Sequence, residues 1–158
     1  MSLRKFLTTE IIASAFINGL LGVLFGWLIT RGSTTMPFSG PGGIAIDVLV
    51  TAFLIGVLLT LIVTPIMRAR IQKGGMPEVT KLPKLMALLP QNAILRSVIM
   101  GLGGGIVIAP IVLALFWLTG TTQLSPGQFI WIKGLYSALF GAVFTPFALL
   151  PMLAGKIK

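Results

Sequence analysis

The sequence predicts an all-α integral membrane protein with four transmembrane helices, built as a parallel tandem repeat of a two-helix hairpin. Hydrophobic residues make up 56% of the 158 residues and charged residues only 9%, against about 25% in soluble domains. Long apolar runs lie at 11–29, 44–67, 98–118 and 129–153. Each is about as long as the ~20 residues that a helix needs to cross the hydrocarbon core of a bilayer. These runs lack the period-two alternation of membrane strands, which disfavours a β-barrel. The chain, 1–158, is expected to form a single membrane domain.

The positions of Lys and Arg predict the orientation. Most of them flank the apolar runs on one side, and only Arg31 and Lys133 lie on the other. Under the positive-inside rule, both termini and the central loop are cytoplasmic and the protein is multi-pass in the cell inner (plasma) membrane. Trp27, Trp117 and Trp131 all fall at the opposite, outer boundary, where Trp is enriched. The residues on the basic side are Arg4, Lys5, Arg68, Arg70, Lys73, Lys81, Lys84, Arg96, Lys156 and Lys158.

The remaining composition excludes several kinds of site. The chain has no Cys and no His, so thiolate sites, His-ligated metals and Ser-His-Asp chemistry are ruled out, and we expect no cofactor. The net charge of +9 is explained by topology rather than by nucleic-acid binding. A basic pair before the first run is also typical of a signal peptide. Its small residues at 13–15 precede the apolar core, however, so we expect an uncleaved helix.

An internal duplication is predicted at an offset of about 81 residues. It places Thr145-Pro146 on Thr64-Pro65, and an offset one residue larger places Gly101 and Gly104 on Gly19 and Gly22. The units extend over about 8–74 and 91–155, joined by a basic cytoplasmic connector at about 68–90. Two spans per unit give both copies the same direction in the membrane. Chance similarity between apolar segments is the alternative.

Small residues and prolines predict how the helices pack. Glycine at helical spacing lets two backbones approach closely in lipid, so these faces should meet inside the bundle, or else line a groove for a lipid tail or another protein's helix. Pro65, Pro110 and Pro146 should each bend a helix, with Thr64 and Thr145 bonding back to a carbonyl one turn earlier. The predicted packing residues are Gly19, Gly22, Gly26, Gly56, Gly101, Gly105, Ser137 and Gly141.

Charged residues close to the membrane suggest two ion pairs. Glu10 and Arg96 share one depth and Asp47 and Lys133 share another, so we predict that each pair forms; separate snorkelling into the headgroups is the alternative. Asn18 lies near mid-depth and should form an interhelical hydrogen bond, with contact to a ligand as the alternative. The other intramembrane polar residues singled out are Thr60, Thr64 and Thr145.

The central connector predicts contact with anionic lipid. The connector contains five basic residues and a single acidic one, Glu78, and it includes an apolar segment at 82–89. Such a segment should lie along the headgroups, although a simple topology anchor is the alternative. The five basic residues are Arg68, Arg70, Lys73, Lys81 and Lys84. Ser125 followed by Pro126 predicts the start of the fourth helix.

These observations favour a non-enzymatic protein. Lys133 and Ser137 share a helix face as a nucleophile pair would, but no oxyanion donor accompanies them. We expect an accessory or structural subunit that binds lipid or other membrane proteins, or its own copies, through small-residue helix faces. The alternative is a small transporter for a hydrophobic or lipid-like molecule, with a cavity near Asn18, Thr60 and Gly141.

Overall fold

The computed structural model describes residues 2–77 and 79–155, so Glu78, Lys156 and Lys158 lie outside the described residues. Four helical spans are long and apolar enough to cross a membrane: Leu3–Ile29, Ile44–Gln72, Ala93–Leu118 and Pro126–Leu153. The predicted number and type of spans are confirmed, and they make the chain a multi-pass membrane protein. The first, second and fourth spans are helices α1, α2 and α6.

The third span changes its helical geometry midway. It consists of α4 (Ala93–Gly103), a π-helical turn (Gly104–Ile108) and α5 (Ala109–Leu118). Pro110 has no N–H to donate to the preceding turn and its ring crowds a carbonyl there, so the helix widens just before it. Helices α2 and α6 instead continue through Pro65 and Pro146. The hydroxyls of Thr64 and Thr145 donate to carbonyls one turn earlier, at 2.6 and 2.7 Å, as the sequence predicts.

A short two-stranded sheet joins the two loops at one end of the bundle, which we call the sheet end. Strands β1 (Met36–Pro37) and β2 (Gln123–Leu124) pair antiparallel and were not predicted from the sequence. The sheet holds the start of α2 beside the start of α6. Ser125 caps α6 with a complete capping box and Pro126 follows at the first helical position, as predicted.

The opposite end, which we call the connector end, carries the basic segment between α2 and α4. The one helical element among its described residues is a four-residue turn, α3 (Lys84–Ala87). Met86 is buried there, whereas Leu85 and Leu88 are 66% and 81% exposed. The apolar residues of the connector are therefore divided between the bundle interior and the surface, and their contact with the headgroups stays a prediction.

Helix α6 is the centre of the bundle. It packs along α1 on one side and α2 on another, and α2 also packs against α4. Phe129, Phe140 and Phe144 of α6 are buried with Ile44 and Val48 of α2. Helix α1 is peripheral. Only 11% of an 18-residue apolar stretch of α1 is buried, against 56% of the corresponding stretch of α6. Since α1 packs along α6 rather than along α2, a gap is left between the two helices of the first hairpin over most of their length.

Most of the small residues predicted to pack helices lie at close contacts between helices of this chain. A Cβ on Gly22 would lie 2.6 Å from Ser137 Oγ and 2.8 Å from the Lys133 carbonyl oxygen, and a Cβ on Gly56 would lie 2.7 Å from the Met100 carbonyl oxygen. Gly19, Gly26, Gly101 and Gly141 make similar contacts.

The packing prediction is wrong for Gly105. A Cβ there would meet nothing within 4 Å. The neighbouring Gly104 takes its place against Phe144 and the Ala52 carbonyl oxygen. The π-helical turn begins at Gly104 and changes the angular spacing of the residues in it, so a four-residue interval from Gly101 no longer points to the same face.

Candidate functional site

A long groove of about 510 Å³ separates α1 from α2, with α6 as its floor. It exists because α1 lies against α6 and leaves the facing sides of α1 and α2 uncovered. Its walls are large apolar side chains, including Ile17, Leu21 and Phe25 from α1 and Leu54, Leu58 and Ile62 from α2. Asp47 and Lys133 line it at the sheet end, and Glu10 and Arg70 at the connector end.

A buried ion pair lies at the sheet end. Lys133 Nζ is 2.6 Å from Asp47 Oδ2 and 2.7 Å from Oδ1, and it also donates to Thr51 Oγ1 at 2.8 Å. The hydroxyl of Tyr136 donates to Asp47 Oδ2. The side chains of Lys133 and Asp47 are only 4% and 14% exposed. The structure thus brings together the pair that the sequence predicts, with neither member extended separately to the headgroups.

The surroundings explain how this charge is kept inside the bundle. Two carboxylate oxygens and a hydroxyl surround the Lys133 ammonium and match its three N–H donors. Asp47 lies in the first turn of α2, where the helix dipole favours a negative charge. Thr51 and Tyr136 were missed in the sequence analysis. Their spacing, four residues after Asp47 and three after Lys133, was the available signal.

The ion pair at the connector end differs from the predicted one. Arg70 Nη1 lies 2.6 Å from Glu10 Oε1, and the two side chains are 48% and 28% exposed. The prediction that Glu10 pairs with Arg96 is therefore wrong. The third span, which carries Arg96, packs against α2, whereas α1 packs against α6, so a shared depth did not make Glu10 and Arg96 neighbours.

Arg96 is fully buried away from the groove. Its Nη2 donates to Thr64 Oγ1 at 2.7 Å, and its Nη1 lies 3.4 Å from the carbonyl oxygens of Pro90 and Gln91. Arg96 therefore links α2 to the end of the connector. Thr60 is also buried, with its hydroxyl bonded to the Gly56 carbonyl, and neither residue lines the groove.

Asn18 lines the groove near mid-depth but does not form the predicted interhelical bond. Its Nδ2 donates within α1, to the carbonyl oxygen of Ser14 at 2.8 Å and to the Ser14 hydroxyl at 3.3 Å. Ser14 makes the interhelical bond instead, since its hydroxyl donates to the Gly141 carbonyl at 3.1 Å. Gly141 permits this approach because a Cβ there would lie 2.7 Å from Asn18 Nδ2. Asn18 lies against Gly141, but its amide N–H groups are directed to Ser14 of its own helix.

Ser137 and Lys133 do not form a nucleophile pair among the described residues. Ser137 Oγ is buried without a hydrogen-bond partner there, and the Lys133 ammonium is directed to Asp47 and Thr51. An amine held as the cation of an ion pair cannot take the proton of a serine. The described residues also contain no cluster of Asp and Glu suited to a metal ion.

Basic side chains surround the connector end. Arg68, Arg70 and Lys73 lie at the end of α2 and Lys81 and Lys84 in the connector, and all five are exposed.

Comparisons of the chain with known protein families, curated proteins and solved structures find no match. The groove and its two charged ends are therefore the basis for inferring function.

Proposed function

We propose that this protein is a non-enzymatic integral membrane protein that binds lipid, with an acyl chain lying in the groove between α1 and α2. The observation that carries the proposal is the groove itself: about 510 Å³, walled by Leu, Ile and Phe along most of its length. This volume lies within the about 300–1,000 Å³ usual for small-molecule sites. An accessory or structural role for such a lipid-binding subunit is part of the proposal.

Lipid is favoured over another protein's helix as the occupant. Helices associate in membranes through small residues that allow close backbone approach. In this chain Gly19, Gly22 and Gly26 already face α6, and Gly56 faces Gly101. The groove instead presents branched and aromatic side chains such as Leu58 and Phe25, which suit a flexible chain better than a rigid helix. Contact with other membrane-protein subunits or with a second copy would then use other surfaces.

The orientation proposed is that of the positive-inside rule, with the connector end cytoplasmic in the inner (plasma) membrane. It is supported by the five exposed basic residues at the connector end. Trp27, Trp117 and Trp131 are exposed near the sheet end, as expected for side chains at a membrane boundary. A basic surface facing the cytoplasmic leaflet suits contact with anionic lipids and requires no nucleic acid.

We also propose that the chain is a tandem repeat of a two-helix unit. Equivalent contacts in the two halves support this. Gly19 of the first span faces Gly134 and Ala138, whereas Gly101 of the third span faces Phe53 and Val57. These partners are related by the same offset of 81 residues that aligns the Thr-Pro pairs. The first span of each unit thus packs on the second span of the other.

A transporter for a hydrophobic or lipid-like molecule is the second candidate. It is favoured by the length of the groove, which is lined from Asp47 at the sheet end to Arg70 at the connector end and so offers a path between the leaflets. Of the three residues expected beside its cavity, Asn18 lines the groove, whereas Thr60 and Gly141 do not. Movement of a fluorescent phospholipid between leaflets of reconstituted vesicles would separate transport from simple binding.

The binding proposal is tested by native mass spectrometry of the protein purified in a mild detergent. Leu58 is 50% exposed and lines the groove, so Leu58→Trp should fill it and reduce the number of retained lipids. Leu139 is 49% exposed on α6 and is not among the groove residues, so Leu139→Trp is a matched control. Equal lipid retention by both variants and the unmodified protein would refute the proposal.

A further inference from the structure

The connector end of the groove combines an incompletely used cation with a single competing anion. Arg70 and Glu10 both line the groove. An Arg guanidinium has five N–H donors, and within residues 2–77 and 79–155 the one hydrogen bond of this side chain goes to Glu10 Oε1. Arg70 remains 48% exposed, so its other donors are open to a ligand that arrives from the groove or the headgroup layer.

The charge around this end favours an anion. Arg68 and Lys73 lie within three residues of Arg70, and all are exposed. Among the described residues, Glu10 is the one acid at this end, because Asp47 lies at the other. A headgroup that carries a phosphate and no cation would be attracted by this excess of positive charge. An ammonium in the same headgroup would be repelled by it.

We propose, on the basis of the lipid-binding function proposed above, that the groove selects a phospholipid with a net anionic headgroup. Its phosphate binds Arg70 and takes the place of the Glu10 carboxylate. The planar guanidinium can hold a phosphate through two parallel hydrogen bonds, whereas it holds Glu10 through one. Glu10 is then a competitor of the phosphate for Arg70.

The proposal predicts opposite effects for the two partners of one ion pair. The full-length protein is incubated with equal amounts of phosphatidylglycerol and phosphatidylethanolamine that carry identical acyl chains, and the ratio of bound lipids is read by native mass spectrometry. Arg70→Gln should lower the preference for phosphatidylglycerol about fivefold, the factor that corresponds to about 1 kcal/mol per basic residue near an anionic surface. Glu10→Gln should raise it, because the competing carboxylate is gone.

Two further variants make the result decisive. Arg31→Gln removes an exposed cation at the sheet end and should leave the ratio unchanged. Arg70→Lys keeps the charge but not the planar guanidinium that binds a phosphate through two parallel hydrogen bonds, so it should retain only part of the preference.

The outcomes separate this inference from the function on which it rests. Equal ratios for the unmodified protein, Arg70→Gln and Glu10→Gln, with lipid still lost in Leu58→Trp, would overturn headgroup selection and leave lipid binding intact. A fall in preference in both Glu10→Gln and Arg70→Gln would also overturn it, because the pair would then act only by shaping the groove. Lipid retention in Leu58→Trp equal to that of its control would remove the proposed function itself.

Discussion

The two ends of the groove hold the same kind of ion pair in two different ways. At the sheet end, Lys133 and Asp47 are nearly buried, and Thr51 and Tyr136 complete their hydrogen bonds. At the connector end, Arg70 and Glu10 are partly exposed and share one contact. A buried pair is stable only when every donor and acceptor is satisfied, whereas an exposed pair can be exchanged at little cost. We therefore expect the ion pair at the sheet end to be essential for stability and the one at the connector end to be dispensable.

The largest effect should come from removing one member of the buried pair. Lys133→Met leaves the Asp47 carboxylate inside the bundle without its cation, which should cost about 3–5 kcal/mol of unfolding free energy. Denaturant titration in detergent micelles measures the change.

The matched double variant Asp47→Leu/Lys133→Met removes both charges and should recover more than half of that loss. A loss of unfolding free energy below about 1 kcal/mol for Lys133→Met alone would show that the buried pair is not essential for stability.

The next effect tests the backbone contact beside Lys133. Gly22→Ala places a Cβ 2.8 Å from the Lys133 carbonyl oxygen, which belongs to a helix backbone and cannot move aside alone. Overpacking of this kind costs about 1–3 kcal/mol and should lower the midpoint of thermal unfolding.

Gly105→Ala is the control for Gly22→Ala, since its Cβ would meet nothing within 4 Å. It should be neutral or stabilise by about 0.5–1 kcal/mol through the lower flexibility of alanine. If the two variants had the same unfolding midpoint, the close contact of α1 with α6 would be wrong.

The smallest effect is expected at the connector end. Glu10→Gln and Arg70→Gln each break a pair that is open to solvent, so each should change the unfolding free energy by less than about 1 kcal/mol. The same titration used for Lys133→Met gives the comparison directly. A loss as large as that of Lys133→Met would mean that the two ends do not differ in kind.

Much of the fold was predictable because it depends on local chemistry. Hydrophobic length defined the four spans, Ser125 and Pro126 defined the start of α6, and Thr64 and Thr145 made the expected bonds beside their prolines. The pair of Asp47 with Lys133 followed from equal depth, and here the two helices are neighbours.

The failures came from contacts between helices. Glu10 and Arg96 also share a depth, but depth does not say which helices adjoin, and α1 packs on α6 rather than on the third span. The packing prediction for Gly105 was wrong because the π-helical turn altered the spacing of residues along the packed face of the third span. The interhelical bond predicted for Asn18 is made by Ser14, because the Asn18 amide donates to Ser14 within α1. The groove itself results from the separation of α1 and α2, which no periodicity in either helix signals.

The most direct test of the account is an experimental structure of the protein in a lipid nanodisc that contains phosphatidylglycerol. The account predicts elongated density between Ile17 of α1 and Leu58 of α2, with a headgroup beside Arg70 and with Lys133 still bound to Asp47. Helices α1 and α2 packed against each other at Ile17 and Leu58, with their own side chains filling the space between them, would contradict it.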